Sequence, residues 1–451
     1  MSSARQQLLE MITDPDSAYA QSPADLLPLR LQAAQELFQQ RREQIPLIAR
    51  RAEDAGITEV RSLDDLVPLL FAHTVYKSYP ASFIEQGRWD RMLQWLNTLS
   101  VEDVTHVDIS GVTNVDEWIE RLWTHGHMVL ATSGSSGKCS FLNHTRGDSE
   151  LKKRHFKYSV GWPFIRSSPT RTVFWLGPLK GPNSAIEAGN FNAENWGRAG
   201  GVFALTDQEL KISEVSQMAA MRKKMAEGTA TPDEIAAFEA SARAKGQAGQ
   251  ASLLKLIDEL LDRRHEPLLI SGMWAQHMAI IERARERGIG DGEFHPDTVM
   301  NAGGGVKGVA LPADYKEQVQ RFYGKVITPG NYGMTEMAQL SPRCEAGRYH
   351  AAPGIIWLIL DREGERLVRP EEGVDGIVEG RFGFLDLLYE GRWGGLITGD
   401  KVNVDFAPRC ACGRPGPTLL DNITRFTDGG EDDHIGCAGT IDGYIRGELN
   451  A

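Results

Sequence analysis

Three groups of residues have types and spacings that could do chemistry. The first is the run VLATSGSSGKCSFLNHT at 129–145. Here an apolar stretch gives way to Thr132, Ser133, Gly134, Ser135, Ser136, Gly137 and Lys138. Small side chains let backbone N–H groups converge on phosphate oxygens, hydroxyls add donors, and Lys138 adds a positive charge. A plain Gly/Ser surface loop is the alternative. A Walker loop is excluded, because Thr132 stands where its first glycine belongs and Cys139 stands where its final Ser/Thr belongs. The second group is Cys344, His350, Cys410 and Cys412, in SPRCEAGRYH and APRCACGRPGP. Three thiolates and an imidazole suit a closed tetrahedral zinc site, and unpaired thiols beside a surface histidine are the alternative. The third group is three short segments, NAGGGVKG at 301–308, NYGMTEMA at 331–338 and LITGDKVNVD at 396–405. Read locally they are a tight turn, a helix start capped by Thr335 and a β-turn.

The elements that must position these residues divide the 451-residue chain into three stretches. Residues 1–119 read as a helical N-terminal region of the core, with Leu31, Ala34, Leu37 and Phe38 on one face and Gly56 closing the run. Residues 120–352 read as an α/β core. The short apolar runs HMVLA, RTVFWLG, PLLIS, DTVMN and GKVITPG alternate with helical segments, which favours a parallel sheet flanked by helices. A helical insertion is expected at 206–264, with Thr231 as N-cap, Pro232 at the first helical position and Glu234 completing a capping box. Leu253, Leu254, Ile257, Leu260 and Leu261 follow at helical spacing and should pack on the core. Residues 353–451 read as an antiparallel β subdomain.

Net charge is −12, which argues against nucleic acid or an anionic membrane surface as the main partner. The N-terminus lacks a signal-peptide pattern and no apolar run reaches the ~20 residues of a membrane helix. Five cysteines fit reduced thiols, and a cytoplasmic location is expected. The long helical block offers a surface for a homodimer.

Residues 132–138 resemble the phosphate loop of the adenylate-forming (acyl-CoA synthetase) superfamily, and the three further segments follow in that superfamily's order. The resemblance spans roughly 120–447 and implies the superfamily's α/β core, with mixed and parallel sheets. It also implies roles. Gly303, Gly304 and Gly305 would flank adenine, and Tyr332 would stack on it. Thr335 would contact the α-phosphate. Glu336 would hold Mg²⁺, a cation that takes hard oxygen ligands. Asp400 would accept from the ribose hydroxyls. Cys344, His350 and the CACGR run resemble the structural zinc set of a phenylacetate-CoA ligase-like branch. The implied activity is an ATP-dependent, AMP-forming carboxylic acid ligase passing its acyl-adenylate to a thiol, expected to be coenzyme A. FWLGPL, LISGMW and the start of NYGM are the expected lining of the acid pocket. Cys139 is expected to be packing, and His125, His127 and the H-x-x-x-D spacing of His144 and Asp148 are expected to be structural.

One departure bears on function. The superfamily's hinge leads into a lid domain that supplies a catalytic lysine. In GTIDGYIRGELNA, Asp442 matches the hinge aspartate, but Thr440 and Gly443 do not match and the sequence given stops at Ala451. The expectation is a missing lid. This keeps two alternatives open, an acyl-adenylate donor to a carrier or partner protein and a non-catalytic binding subunit, and it leaves room for a separate lid protein as a partner.

Overall fold

Ser22 starts the Pro23–Gln44 helix, its hydroxyl accepting from the Ala24 amide at 3.1 Å while Pro23 takes the first helical position. Ala34, Leu37 and Phe38 are buried as their spacing requires, whereas Leu31 is half-buried. The run does not continue unbroken to Gly56. Pro46 starts a second helix, Pro46–Asp54, because a proline nitrogen cannot donate to the preceding turn. Gly56, at φ 67°, follows that second helix.

The computed structural model describes residues 3–132, 138–303 and 310–429, and the chain falls into two compact units. One comprises the chain up to Ser133, Lys138–Ser159 and Asn331 onward, and the other is built on Val160–Gly330. The N-terminal helices share a unit with the C-terminal strands because distant side chains staple them there. Arg30, buried, donates to the carbonyls of Ala352 and Pro353 at 3.0 and 2.8 Å. Arg41, also buried, reaches the Tyr389 and Glu390 carbonyls at 3.2 and 3.1 Å. Phe71–Ala72 adds a parallel strand beside Gly395–Asp405, in register Phe71↔Leu396.

In this first unit the strands Ile355–Leu360, Ile377–Asp386 and Gly395–Asp405 run antiparallel, as their turn signals imply. Leu130–Ala131, from HMVLA, pairs antiparallel with Phe141–Leu142 as a separate two-stranded ribbon, so it is not part of the parallel sheet.

The second unit carries the parallel sheet. Its order is Gly197–Glu209, Arg171–Lys180, Leu268–Met273, Val299–Gly303, every pair parallel. Helices connect the strands, as parallel pairing requires. GKVITPG supplies a single bridge, Val299↔Ile327, rather than a strand. Gly197–Glu209 has no clear strand signature in GRAGGVFALTDQE, and it extends into the stretch expected to be helical from 206. The insertion proper is the pair of helices Ile212–Ala226 and Pro232–Asp262. The capping box is present: the Glu234 amide donates to the Thr231 hydroxyl, and the Thr231 amide donates to the Glu234 carboxylate at 2.9 Å.

Only the end of the long helix enters the core. Leu256, Ile257, Leu260 and Leu261 pack with Phe174, Ile270 and Ile280, while Leu254 is 37% exposed and does not share that packing. Leu260→Ala should therefore cost about 2–5 kcal/mol of unfolding free energy, and Leu254→Ala less than about 0.5. Equal shifts in a urea-unfolding comparison would contradict this assignment.

Candidate functional site

Asn331–Tyr332 and Ser341–Pro342 form a short antiparallel hairpin, in register Tyr332↔Ser341. Its turn carries Thr335 and Glu336, so NYGMTEMA is a strand and turn, not a helix start. Local propensity alone would not hold such a turn, and three buried side chains do. The Asp386 carboxylate accepts from the Ala338 and Gln339 amides at 2.8 and 3.3 Å. His155 Nε2 accepts from the Leu340 amide at 2.9 Å. Arg392 Nη2 donates to the Glu336 carbonyl at 2.7 Å. Sequence reasoning missed all three, because none lies in a motif or near the turn in sequence. Gly394, just past Arg392, has to be glycine, since a Cβ there would sit 2.0 Å from the Asp386 carbonyl oxygen.

The hairpin faces the strand that carries LITGD. Tyr332 Oη donates to Asp400 Oδ2 at 2.8 Å, and Arg425 Nε lies 3.3 Å from Oδ1 of the same carboxylate. Burial, reinforced by Asp400, pushes the Tyr332 phenol well above its ordinary range, so it stays a donor. The Tyr332 ring packs edge-on against Phe382 at 5.2 Å. Burial raises the Glu336 pKa, the Arg392 charge opposes that rise, and Asp400 and Lys152 act in opposite directions. No ion pair forms on the Glu336 carboxylate among the described residues, so its oxygens can receive a hard cation.

At the base of the 132–138 loop, the Thr132 amide donates to the Ser140 carbonyl at 3.1 Å and the Ser140 amide donates to Thr132 Oγ1 at 3.0 Å. The Lys138 ammonium donates to the Tyr79 carbonyl and lies 4.5 Å from the Tyr79 ring centroid. Cys139 is 1% exposed and its carbonyl accepts from Tyr79 Oη at 2.8 Å, which is a packing role. Ser133, Gly134, Ser135, Ser136 and Gly137 lie outside the described residues, as do Gly304, Gly305 and the hinge residues Thr440, Asp442 and Gly443. Gly303 ends the Val299–Gly303 strand in the second unit, which also holds FWLGPL and LISGMW.

Cys344, His350, Cys410 and Cys412 converge. Their candidate ligand atoms all lie within 4.8 Å of one another. Cys344 Sγ is 3.8 Å from Cys410 Sγ, and Cys412 Sγ is 3.6 Å from His350 Nε2. A tetrahedron with zinc bond lengths has edges of about 3.8 Å between sulfurs and about 3.5 Å from sulfur to nitrogen, so the donor set fits that ion. Burial and the adjoining Cys412 push the Cys344 thiol up to about 12, and burial with Arg414 brings His350 down to about 4. The imidazole is therefore neutral, the state that ligates a metal.

Two like turns present the thiols. CEAGR and CACGR share the pattern C-x-x-G-R. In each, the cysteine amide donates to the arginine carbonyl, at 2.8 Å for Cys344 and 2.9 Å for Cys410. The glycine amide donates back to the cysteine carbonyl at 2.9 Å in both turns. Gly347 and Gly413 have φ of 74° and 88°, which favours glycine at those positions. The repeat was visible in the sequence and is a better signal than ligand spacing. Arg414 joins the two turns through Glu345, with contacts at 2.5 and 3.2 Å.

His144 and Asp148 are structural. His144, buried, has its ring nitrogens at 3.2 Å from the Leu142 carbonyl and 3.4 Å from Tyr389 Oη. Asp148, fully buried, accepts from the amides of Thr145, Glu390 and Gly391 at 2.9, 2.7 and 3.0 Å. His125 accompanies the Arg121 carbonyl at 2.8 Å, and His127, buried, lies 3.7 Å from Glu102. Asp148→Ala would orphan three amides and should cost about 3 kcal/mol or more. A denaturation midpoint equal to the wild type would refute that role.

No family model matches the sequence, and no curated protein matches it either. Solved structures do match the fold. A 2-hydroxyisobutyryl-CoA ligase in its postadenylation state, in complex with R3-HIB-AMP, aligns over 91% of this chain and 69% of its own, at TM-score 0.57 and 15% identity. The same enzyme in complex with 2-HIB-AMP and CoA in the thioesterification state aligns over 91% and 70%, at TM-score 0.58 and 15% identity. Its open conformation with those ligands aligns over 91% and 77%, at 0.56 and 16%. Among the described residues no helix is long and apolar enough to cross a membrane. The chain has the fold of the adenylate-forming acid–CoA ligases.

Proposed function

We propose that the protein is an ATP-dependent, AMP-forming carboxylic acid ligase. The observation that carries this reading is the meeting of NYGMTEMA and LITGD, 68 residues apart at Tyr332 and Asp400, through one hydrogen bond. In the reaction a carboxylate oxygen attacks the α-phosphorus of ATP, the bond to the bridging oxygen breaks, and pyrophosphate leaves. A thiolate, that of coenzyme A in this reading, then attacks the acyl carbon and AMP departs.

Asp400 takes the ribose diol, and its contacts to Tyr332 and Arg425 fix the carboxylate plane for that task. Tyr332 stacks on adenine, and Thr335 contacts the α-phosphate. Lys138 holds the outer phosphates. Glu336 would hold Mg²⁺, which when bound neutralises phosphate charge as the pentacoordinate state forms. Transfer to a carrier protein instead of coenzyme A is the second reading, and product analysis separates the two.

ATP–pyrophosphate exchange over a panel of carboxylic acids tests the first step. The wild type should exchange with at least one acid, and Glu336→Gln and Lys138→Ala should each fall about 100-fold or more. Three equal rates would remove the assigned site.

Cys344, His350, Cys410 and Cys412 would hold a structural zinc that fills all four positions and takes no part in catalysis. Purified protein should then carry about one zinc per chain. Cys410→Ser should lower both metal content and melting temperature, because metal binding there contributes directly to folding. Full metal content in that variant would exclude the cluster.

A further inference from the structure

We propose that Arg392 is a positioning residue for Glu336: it grips the backbone carbonyl of that residue while its carboxylate stays out of any ion pair among the described residues. The inference rests on the functional reading above and adds a residue to it.

Arg392 is 2% exposed. Nη1 donates to Tyr76 Oη at 2.9 Å and Nη2 to the Glu336 carbonyl at 2.7 Å. The guanidinium carbon lies 4.0 Å from the Tyr389 ring centroid and 5.2 Å from that of Tyr76. Nε is buried with no hydrogen-bond partner. Among the described residues no carboxylate pairs with Arg392. A buried cation in that condition is costly, and two aromatic faces recover only part of the loss. An amide side chain could hold the same carbonyl without burying a charge. The charge itself therefore has a use. The carboxylate that attracts it is Glu336, with Lys152 and Asp400 acting on that carboxylate in opposite senses.

This geometry suits a residue that must stay open to a cation. A direct ion pair would consume the carboxylate oxygens. A hydrogen bond to the carbonyl end fixes the turn and leaves the carboxylate outside any ion pair among the described residues. Asp386 and His155 hold the amides of Ala338, Gln339 and Leu340, so Arg392 completes the restraint at Glu336, the residue with a metal ligand to offer.

The test is a double-mutant cycle on metal–nucleotide binding, not on turnover. Calorimetry would follow Mn²⁺ binding with a non-hydrolysable ATP analogue to wild type, Arg392→Lys, Glu336→Gln and the double variant. Arg392→Lys keeps the charge but cannot reach both Tyr76 and the carbonyl. It should weaken binding about tenfold when Glu336 is present and have no further effect in the Glu336→Gln background. Additive losses, or no loss in the single variant, would overturn the proposal. Should Arg392→Lys not fold, Tyr76→Phe removes the Nη1 anchor and enters the same cycle with the same expectation. A wild type that binds no metal–nucleotide would overturn the functional reading itself, and the inference with it, so the wild-type arm tells the two failures apart.

Discussion

The hydrogen bond from Tyr332 to Asp400 is the contact on which the candidate site depends, and neither segment could make it alone. Tyr332 sits on a hairpin with a two-residue ladder on each arm, too short to be stable by itself. Asp400 sits near the middle of a long strand whose neighbours fix it. The hairpin must therefore be brought to the strand and held there. Four converging side chains adjoin both segments. Cys344 and His350 lie just past the hairpin, and Cys410 and Cys412 lie just past the strand. The His350 amide returns to the Pro342 carbonyl at 3.0 Å, and Tyr349, its neighbour, packs on Tyr332 at 6.0 Å.

The same logic of tying distant backbone together runs through the first unit. Arg30, Arg41 and Arg392 are buried, and each donates to backbone carbonyls far away in sequence. Asp148 and Asp386 do the reverse, accepting several amides apiece. Each such group costs desolvation, and each satisfies loop groups that neither helix nor ladder can satisfy. Loops have this need because irregular backbone leaves polar groups that no regular ladder pairs.

Much of this was legible in advance. RTVFWLG, PLLIS and DTVMN are apolar runs between helices, and they form three of the four parallel strands. T-P-D-E gives its capping box from chemistry confined to one turn. Other features were legible but unread, above all the paired C-x-x-G-R turns. Still others left no local trace. The Gly197–Glu209 strand is rich in glycine, and its partner Arg171–Lys180 makes it a strand. HMVLA looks like a core strand yet joins a two-stranded ribbon, because periodicity cannot name a pairing partner.

The sequence alone determined the chemistry on offer: which residues can donate, accept, carry charge or bind metal, and in what order along the chain. It also determined elements whose signals are local, such as caps, turns and buried strands. Tertiary structure decided which of these groups meet. It joined the first hundred residues to the last hundred, set Tyr332 against Asp400, closed four ligands to within 4.8 Å, and put Arg392 beneath Glu336. The reason is physical. A side chain's intrinsic chemistry is fixed by its own atoms, but its environment is fixed by groups tens or hundreds of residues away, and no local pattern encodes them.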